Sequence, residues 1–420
     1  MRFIYICIAY LISPIVIGAL ALRGFRDRVH WRGFSQRFGL GPKVRGGRSI
    51  WVHAVSVGEV QAAVPLIEAL LKRFPDIPLV LTTVTPTGRG RAQTLFGDRV
   101  DVRYVPIDLP GSVRRFFHRV QPKLAVILET EIWPNLYHRC GRMGVPLVLA
   151  SARISPRSVN SYRRMVGLFR ETLSHGIFIA AQSAEDAERF VSIGANPQRT
   201  HVVGNIKFDF GYPLDMEARG HELRQMLGVH RPVWVAGSTH AMEEEMVIEA
   251  NRLIRERFSN ALLVLVPRHP PRFGDVSTML KEHGIRFVRR TSALPVTSAT
   301  EVYLLDTLGE LPPFYAAGDV AFVGGSLVPI GGHNLLEPAA LSLPIVAGPH
   351  NFNSADIAKM LVERGAVRLV QDAATLATVV GDLLANPTAR TTMGASGRKA
   401  VDDNRGAVAR LMQFLEPLLP

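Results

Sequence analysis

The chain has 420 residues, with 49 Lys and Arg against 36 Asp and Glu, and 47% of it is hydrophobic. This length leaves room for two domains, and the apolar fraction excludes a disordered or collagen-like chain. The two cysteines, Cys7 and Cys140, are too few for a disulfide framework or a cysteine-based zinc site. A reducing compartment therefore fits the composition.

The first element is an apolar segment. Residues 3–22 carry no charge and are long enough to cross a hydrocarbon core of about 30 Å. A cleaved signal peptide is the alternative, but the run exceeds the usual apolar length and is followed by Arg23 rather than by a small-residue cleavage site. We therefore predict a membrane anchor over residues 1–22.

A basic segment, residues 23–49, follows the anchor. Its charges are opposed by Asp27 alone and comprise Arg23, Arg26, Arg28, Arg32, Arg37, Lys43, Arg45 and Arg48. The positive-inside rule places this side of the anchor, with the rest of the chain, in the cytoplasm. The net charge of +13 is concentrated here, and no nucleic-acid-binding pattern follows. The predicted partner is an anionic membrane surface and not nucleic acid.

From residue 50, short β-rich runs alternate with helical patterns such as 57–74 and 159–173, which is typical of parallel βαβ units. The first half has predicted strands at 50–55, 79–84, 102–107, 124–128, 146–150, 177–182 and 201–203. The pattern breaks across 204–232. The second half has predicted strands at 233–236, 261–266, 286–288, 302–305, 319–323, 344–347 and 367–370. We predict two Rossmann-like domains, 50–210 and 211–420, sharing an interdomain cleft at their strand ends.

Polar residues follow two strands of the first half. Ser56 and Glu59 have the spacing of a capping box, in which the glutamate satisfies a backbone N–H. The same position would keep the Glu59 carboxylate ionised through the helix dipole and backbone donors, as a general base requires. Glu129 and Glu131 come after the fourth strand and fit either a helix start or a polar site. Lys207, at the entrance to the break, is a cation for the cleft or a surface charge.

In the second half, strand-end loops suited to anions contain Gly237 to His240, Pro267 to Pro270, and a glycine-rich stretch from Gly324 to Pro338. Glycines let backbone N–H groups approach phosphate, and a helix N-terminus favours the negative charge. The stretch matches neither the P-loop nor the dinucleotide fingerprint, so alone it fits tight packing turns equally. No metal-binding pattern is present, and we predict no metal and no cofactor.

Taken together and in this order, these motifs closely resemble bacterial Kdo (3-deoxy-D-manno-octulosonic acid) transferases over nearly the whole chain. The resemblance implies a GT-B fold, CMP-Kdo as donor and lipid IVA, a lipid A precursor, as acceptor. It further implies inversion at the anomeric carbon without a metal, at the bacterial inner membrane, with the catalytic domains on the cytoplasmic side.

By matching motifs, Glu59 resembles the general base of this family, and Glu131 and Lys207 resemble groups that support the transition state. The residues that the resemblance assigns to CMP-Kdo are Gly237, Ser238, Thr239, Arg268, His269, Leu308, Gly309, Glu310, Ser326, Asn334, Leu335, Leu336 and Glu337. The chain departs from the family pattern at Ser151 (Asn expected), Met242 (Gly), Leu308 (Met) and Leu335 (Pro).

Other functions remain open at this stage. A nucleotide-sugar epimerase of the same fold would work without an acceptor and would need no anchor. Another nucleotide-sugar glycosyltransferase at the membrane would share the fold and the anchor. A non-catalytic protein could bind a nucleotide as a signal, with Glu59 acting only as a helix cap.

Overall fold

The computed structural model describes residues 1–164, 166–173, 176–213 and 215–419. The chain divides into two compact units. Unit 1 comprises Met1–Gly211 and Asn404–Pro420, and unit 2 comprises Tyr212–Asp403. The predicted boundary at 210/211 is therefore one residue away from the observed division. The predicted extent of the second domain, 211–420, is wrong at its end, because the last residues belong to unit 1.

Unit 1 is built on a seven-stranded sheet in the order β3-β2-β1-β4-β5-β6-β7, with every neighbouring pair parallel. Its strands are β1 (Ser49–His53), β2 (Leu79–Thr83), β3 (Asp101–Tyr104), β4 (Pro122–Leu128), β5 (Leu147–Ala152), β6 (Phe178–Ala181) and β7 (Thr200–Val202). All seven predicted strands are present. Because helices cover both faces, β1 and β2 are buried along their whole length, and β4 is buried except at Lys123.

The helices of unit 1 before its boundary are α1 (Arg2–Arg26), α2 (Val57–Arg73), α3 (Pro86–Phe96), α4 (Pro110–Val120), α5 (Pro134–Arg142), α6 (Pro156–Arg164), α7 (Val166–Leu173) and α8 (Ala184–Ser192). The helix predicted over 159–173 is two helices, and residue 165 between them lies outside the described residues. The sequence analysis missed α3, whose two glycines obscure the helical pattern. The sequence nevertheless contains a helix start signal, the N-cap residue Thr85. In the structure, the Thr85 hydroxyl accepts the Gly88 N–H at 3.0 Å.

Helix α1 contains the predicted apolar run. Within the described ranges it is the one helix long and apolar enough to cross a membrane, judged by length and composition alone. Its apolar side chains are largely exposed, with Leu11 at 78%. Its first turns contact unit 1, because Arg2 Nε donates to Asn135 Oδ1 at 3.3 Å and the Tyr5 hydroxyl donates to Asp108 at 2.9 Å.

Unit 2 has a second seven-stranded parallel sheet, in the order β10-β11-β9-β8-β12-β13-β14. Its strands are β8 (Val233–Thr239), β9 (Leu262–Pro267), β10 (Phe287–Arg289), β11 (Val302–Leu304), β12 (Val320–Val323), β13 (Ile345–Ala347) and β14 (Val367–Leu369). Its helices are α9 (Met216–Leu227), α10 (Glu243–Arg257), α11 (Pro271–Glu282), α12 (Leu311–Ala317), α13 (Leu336–Ala340), α14 (Ala355–Glu363), α15 (Ala373–Ala385) and α16 (Pro387–Asp403). All seven predicted strands are present here too.

The last helix, α17 (Ala407–Leu415), packs on unit 1. The Asp209 carboxylate accepts the Gly406 N–H at 2.6 Å and also the Val408 N–H. Leu411 and Leu415 are fully buried in the apolar core of unit 1. This packing is the physical reason for the corrected domain boundary, since the apolar face of α17 is covered by unit 1.

Both sheets reverse their strand order at one point, between β1 and β4 in unit 1 and between β8 and β12 in unit 2. Open α/β sheets bind ligands at such a switch point, outside the carboxyl ends of the strands. Glu59 follows β1 and Glu131 follows β4, while Ser238 and Ser326 mark the corresponding strand ends in unit 2. These four predicted residues therefore lie at the switch points of the two sheets.

Candidate active site

Glu59 lies in the first turn of α2, after the end of β1. Its Oε2 accepts the Val55 N–H at 2.9 Å, and its Oε1 accepts the Ser56 hydroxyl at 3.4 Å. The Ser56 side chain makes no cap hydrogen bond to the helix. The reciprocal capping box is therefore not formed. Glu59 instead bonds to the segment between β1 and α2, and its side chain remains partly exposed.

The environment of Glu59 raises the pKa of its carboxyl to about 7. Burial is the largest cause, the Val55 N–H opposes it, the charges of Glu129 and Glu131 raise the pKa further, and Lys207 lowers it. The expectation that backbone donors and the helix dipole keep the Glu59 carboxylate ionised is met only in part, because burial outweighs the Val55 N–H and raises the pKa. A pKa near 7 suits a group that accepts a proton at neutral pH.

Lys207 forms an ion pair with Glu129, with Nζ and Oε1 2.7 Å apart. The lysine lies in a 3₁₀ turn over Ile206–Asp209 whose Asn205 side chain accepts the Lys207 N–H at 2.9 Å. Glu129 has φ of +58°, an uncommon conformation for a residue other than glycine. The sequence left Glu129 open between a helix start and a polar site, and the structure makes it the partner of the predicted lysine.

Glu131 is held by an aromatic neighbour. Its Oε2 accepts the indole N–H of Trp133 at 2.8 Å, and its backbone carbonyl accepts the Tyr137 hydroxyl at 2.8 Å. Burial raises the pKa of the Glu131 carboxyl, and the Trp133 hydrogen bond partly offsets this. Three carboxylates and one lysine therefore interact electrostatically at the switch point of unit 1.

Ser151, one of the departures from the family pattern, has φ of +51°. Asparagine tolerates this left-handed conformation better than serine, which explains why the family pattern has it there. The serine hydroxyl still lies 3.5 Å from Asn205 Oδ1 and accepts from Gln182 Nε2 at 3.2 Å. The substitution thus keeps contacts to the residue that positions the Lys207 turn, at a cost in backbone strain.

In unit 2, the fully buried carboxylate of Glu243 holds the loop after β12. Its carboxylate accepts backbone N–H groups of Gly325 at 2.7 Å, Ser326 at 3.1 Å and Leu327 at 2.9 Å, and that of His240 at 3.3 Å. No role was predicted for Glu243 from the sequence. The sequence feature that could have indicated this role is the position of Glu243 at the start of a helix that follows a strand-end loop.

Several residues predicted to bind the sugar donor stabilise the loops and do not expose a side chain to a ligand. A Cβ at Gly237 would come within 2.1 Å of the Tyr315 hydroxyl, so the close packing requires glycine. Ser326 is fully buried, and its hydroxyl donates to the Val323 carbonyl at 2.6 Å and accepts the Gly348 N–H at 2.8 Å. Because both partners of its hydroxyl lie inside the protein, the backbone of Ser326 is better suited to a ligand contact than its side chain, and its role in donor binding stays a prediction.

The loop that follows β8 has two further predicted residues. Ser238 has φ of +60° and is partly exposed at the strand end. Thr239 is fully buried, and its hydroxyl lies 3.4 Å from Glu244 Oε1. Its carbonyl accepts the Arg268 N–H at 2.9 Å, which joins the ends of β8 and β9. Arg268 and His269 are thereby held beside the β8 loop.

The side chains in the segment around α13 lie in different environments. Leu335 and Leu336 are buried, at 2% and 1% exposure, so their side chains belong to the core and only their backbone is suited to a ligand contact. Leu335 has φ of −74°, which proline also adopts, so this departure fits the backbone. Asn334 Oδ1 accepts the Leu336 N–H, and Asn334 Nδ2 donates to Glu337 Oε1, each at 3.1 Å.

The remaining predicted segment lies between β11 and α12. The Leu308 side chain is 64% exposed, and Gly309 has φ of +84°. Glu310 forms an ion pair with Arg290, with Nη2 and Oε1 3.0 Å apart. The roles of Leu308, Gly309 and Glu310 in binding a nucleotide stay predictions.

Comparisons with known proteins show which family the chain resembles. The family model described as "3-Deoxy-D-manno-octulosonic-acid transferase (kdotransferase)" matches residues 32–210. The 3-deoxy-D-manno-octulosonic acid transferase of Haemophilus influenzae is 38% identical, over 100% of this chain and 99% of its own. The enzyme of the same description from Bordetella pertussis is also 38% identical, over 88% and 87% of the two chains.

Among solved structures, the UDP-GlcNAc 2-epimerase of Neisseria meningitidis is similar with a TM-score of 0.58 and 13% identity, over 88% of this chain and 100% of that chain. At this identity the likeness concerns the fold alone. The two parallel-sheet α/β units, with polar loops at their switch points, have the GT-B fold, as predicted. The chain belongs to the 3-deoxy-D-manno-octulosonic acid transferase family, as its full-length identity to the Haemophilus influenzae relative shows. It is an enzyme, and the non-catalytic and epimerase alternatives no longer apply.

Proposed function

We propose that this enzyme transfers Kdo from CMP-Kdo to lipid IVA, a lipid A precursor, with inversion at the anomeric carbon and without a metal. The observation that carries the proposal is the partly buried Glu59 carboxyl, whose pKa of about 7 lets it act as a base at neutral pH. Family membership supports the choice of transferred sugar.

In the proposed step, a hydroxyl oxygen of the acceptor attacks the anomeric carbon of Kdo while Glu59 accepts the hydroxyl proton. The bond between the anomeric carbon and the phosphate oxygen breaks, and its electron pair stays on CMP. Attack opposite to the leaving group inverts the configuration. The ion pair of Lys207 and Glu129 supplies the polar surroundings that adjust the proton affinity of Glu59, and Glu131 contributes a second negative charge.

On the donor side, the phosphate of CMP gains negative charge as the bond breaks. Arg268 and the backbone N–H groups of the glycine-rich loop are suited to oppose that charge, since charge-assisted hydrogen bonds strengthen as the charge develops. The proposed contacts with the nucleotide come from His269, the Leu308 to Glu310 segment, Asn334 and Glu337. Because cations and N–H groups of the protein neutralise the leaving group, we propose that no metal is needed.

For the cellular setting, we propose that α1 crosses the bacterial inner membrane once and that both units lie in the cytoplasm. The basic segment 23–49 supports this orientation. Crossing would place Arg2 on the opposite side from unit 1, so its contact with Asn135 and that of Tyr5 with Asp108 would be broken. Labelling of a cysteine introduced at Arg2 tests this, since reagent that cannot cross the membrane should reach it from outside the inner membrane. Labelling only from the cytoplasmic side would contradict a crossing helix.

The central test uses the full chain in detergent, incubated with CMP-Kdo and lipid IVA in the presence of a chelator. Mass spectrometry should show addition of Kdo to the lipid, and NMR of the product should show the inverted anomeric configuration. A control without lipid measures donor breakdown that needs no acceptor. Formation of product only after addition of a divalent metal would contradict the metal-independent mechanism, and no product on lipid IVA would contradict the acceptor.

A further inference from the structure

Three histidines converge beside Arg268 at the switch point of unit 2. His240 follows β8, His269 follows β9, and His333 lies in the glycine-rich loop after β12. The Nε2 atoms of His240 and His333 are 2.7 Å apart, and their rings are nearly parallel, with an interplanar angle of 5° and centroids 5.0 Å apart. The His269 ring lies edge-on to His240 at 5.3 Å. The first pair, His240 and His333, is called the imidazole pair below.

The surrounding loop is shaped to hold this pair. Gly325 has φ of +69°, and a Cβ there would lie 3.0 Å from the Cδ2 and Nε2 atoms of His333. The His333 N–H donates to the Gly324 carbonyl at 3.2 Å. On the other side, Glu243 accepts both the Gly325 N–H at 2.7 Å and the His240 N–H at 3.3 Å. One buried carboxylate therefore positions the backbone on both sides of the imidazole pair.

Two ring nitrogens at 2.7 Å must have a hydrogen between them, so one imidazole donates and the other accepts. The charged groups around the pair are mostly cationic. Arg268, Arg272 and His269 lower the pKa of His240, after burial as the main cause, while Arg272 is itself paired with Glu244. Burial lowers the pKa of His333 to about 3, with Arg268, His240 and His269 adding to the effect. Glu243 is engaged by four backbone N–H groups. Without an anion, the imidazole pair is therefore neutral at pH 7.

A phosphate at this site would favour protonation of the imidazole pair, because a nearby anion favours the protonated form of an imidazole. We propose that the imidazole pair takes up one proton when the nucleotide phosphate of the donor binds and gives it to the phosphate oxygen that leaves the sugar. This inference rests on the proposed function, because it assigns the phosphate of the donor to the β8, β9 and β12 loops of unit 2.

The proton transfer balances within the proposed reaction. The bond between the anomeric carbon and the phosphate oxygen breaks, its electron pair goes to that oxygen, and Nε2 of the pair supplies the proton. The acceptor oxygen forms the new bond to the carbon, and its proton goes to Glu59. CMP leaves with a protonated phosphate, the imidazole pair returns to its neutral state, and Glu59 loses its proton to water before the next turnover. The Arg268 side chain stabilises the charge that remains on the phosphate.

Proton uptake tests the first half of this proposal. The binding of CMP to the full-length protein is measured by calorimetry at pH 7.5 in two buffers with different enthalpies of ionisation. We expect uptake of roughly half a proton or more by the wild type, because the bound anion raises the affinity of the pair for a proton. The double variant His240→Asn/His333→Asn should bind CMP without uptake.

The two possible failures can be told apart. If CMP binds to the wild type without proton uptake, the inference is overturned and the proposed donor still stands. If CMP does not bind to the folded wild type, the proposed donor and the inference are both contradicted. The wild-type measurement needs no variant, so a variant that fails to fold leaves the test intact.

Kinetics test the second half. Each single variant, His240→Asn or His333→Asn, should lower kcat by about 10–100-fold, and the double variant should lose no more than either one, since the proton needs both rings. The alkaline limb of the kcat profile should disappear in all three. His283→Asn is the matched control, because this exposed histidine of unit 2 bonds to its own helix through the Met279 carbonyl at 2.8 Å, and its activity should be unchanged. Additive losses with an unchanged alkaline limb would overturn the shared-proton role.

Discussion

The switch points of the two units have the same topology but opposite chemistry. In unit 1, the residues after β1 and β4 are carboxylates, Glu59, Glu129 and Glu131, with Lys207 as the cation. In unit 2, Arg268, imidazoles and backbone N–H groups occupy the corresponding strand ends. The parallel sheet thus provides the location, and the side chains after the strands determine whether the site is suited to accept a proton or to bind an anion.

Two glutamates make the comparison sharper, since both lie in the first turn of a helix after a strand. Glu59 accepts one backbone N–H and remains partly exposed, so its carboxyl is available to a substrate. Glu243 is fully buried and accepts four backbone N–H groups. The same residue type in the first turn of a helix therefore gives a partly exposed carboxyl in one unit and a structural support in the other. The number of amide donors and the exposure decide between them.

The largest expected effect comes from Glu59→Gln. The change keeps the size and the contact with the Val55 N–H but removes the base, so kcat should fall by about 10²–10⁴-fold. CMP binding, measured by calorimetry, should persist. Glu68→Gln on the same helix is the control, because Glu68 is a surface residue paired with Arg99 at 2.7 Å and its variant should work normally. Normal turnover by Glu59→Gln would make Glu59 only a corner support, with Glu131 the next candidate base.

The next effect tests the anion-binding side of the comparison. Arg268→Ala should lower kcat/KM by about 10–100-fold, because a charge-assisted contact to phosphate is worth about 1.5–3 kcal/mol and strengthens in the transition state. Arg252→Ala is the control, since Arg252 is exposed on α10 and pairs with Glu249 and Glu256. Steady-state kinetics with varied CMP-Kdo gives both values. An unchanged kcat/KM for Arg268→Ala would remove this arginine from the donor site.

The pH dependence tests the electrostatics of unit 1. Because Glu59 must be ionised to accept a proton, kcat/KM should fall about tenfold per pH unit below its pKa of about 7. Lys207→Gln removes a cation that lowers this pKa, so the acid limb should move to higher pH. Lys72→Gln, at an exposed position of α2, should leave the limb unchanged. If the kcat/KM of the wild type fell only near pH 4.5, this would contradict the raised pKa that burial gives Glu59.

The same raised pKa has a consequence for stability. Ionisation of Glu59 is harder in the folded protein than in the unfolded chain, so its contribution to stability is greatest below the ordinary value of 4.5 and is lost as the pH rises through about 7. Glu59→Gln cannot ionise and lacks this loss. The thermal midpoint of the variant relative to the wild type should therefore rise between pH 5 and pH 8, as measured by calorimetry.

The smallest effect concerns the helix start next to Glu243. Met242 has φ of +69°, where the family pattern has glycine, and its side chain is 65% exposed. Met242→Gly should stabilise unit 2 by about 0.5–1 kcal/mol, because relief of the left-handed strain exceeds the added entropy of the unfolded chain. Met143→Gly, at φ of −99°, is the matched control and should destabilise. A lower thermal midpoint for Met242→Gly would show that this strain is absent.

The sequence by itself determined the strands, the fold class and the positions of the main candidate residues. Alternating apolar runs and turn residues are local signals, so all the strands of both sheets were predicted, and parallel sheets place the residues after the strands at a common edge. The family resemblance selected Glu59 and Arg268 from these residues. The helix α3 was missed because its glycines weaken a local pattern.

Only the tertiary structure decided the contacts between residues that are far apart in the chain. Asp209 bonding to the backbone before α17, Lys207 pairing with Glu129, Glu243 holding the β12 loop and His240 meeting His333 all join separate segments. The pKa of Glu59 belongs to the same class, because burial sets it and no local pattern reports the depth of a carboxylate. Spacing in a sequence indicates which residues share an edge, but solvent exclusion and the arrangement of donors depend on the packed fold.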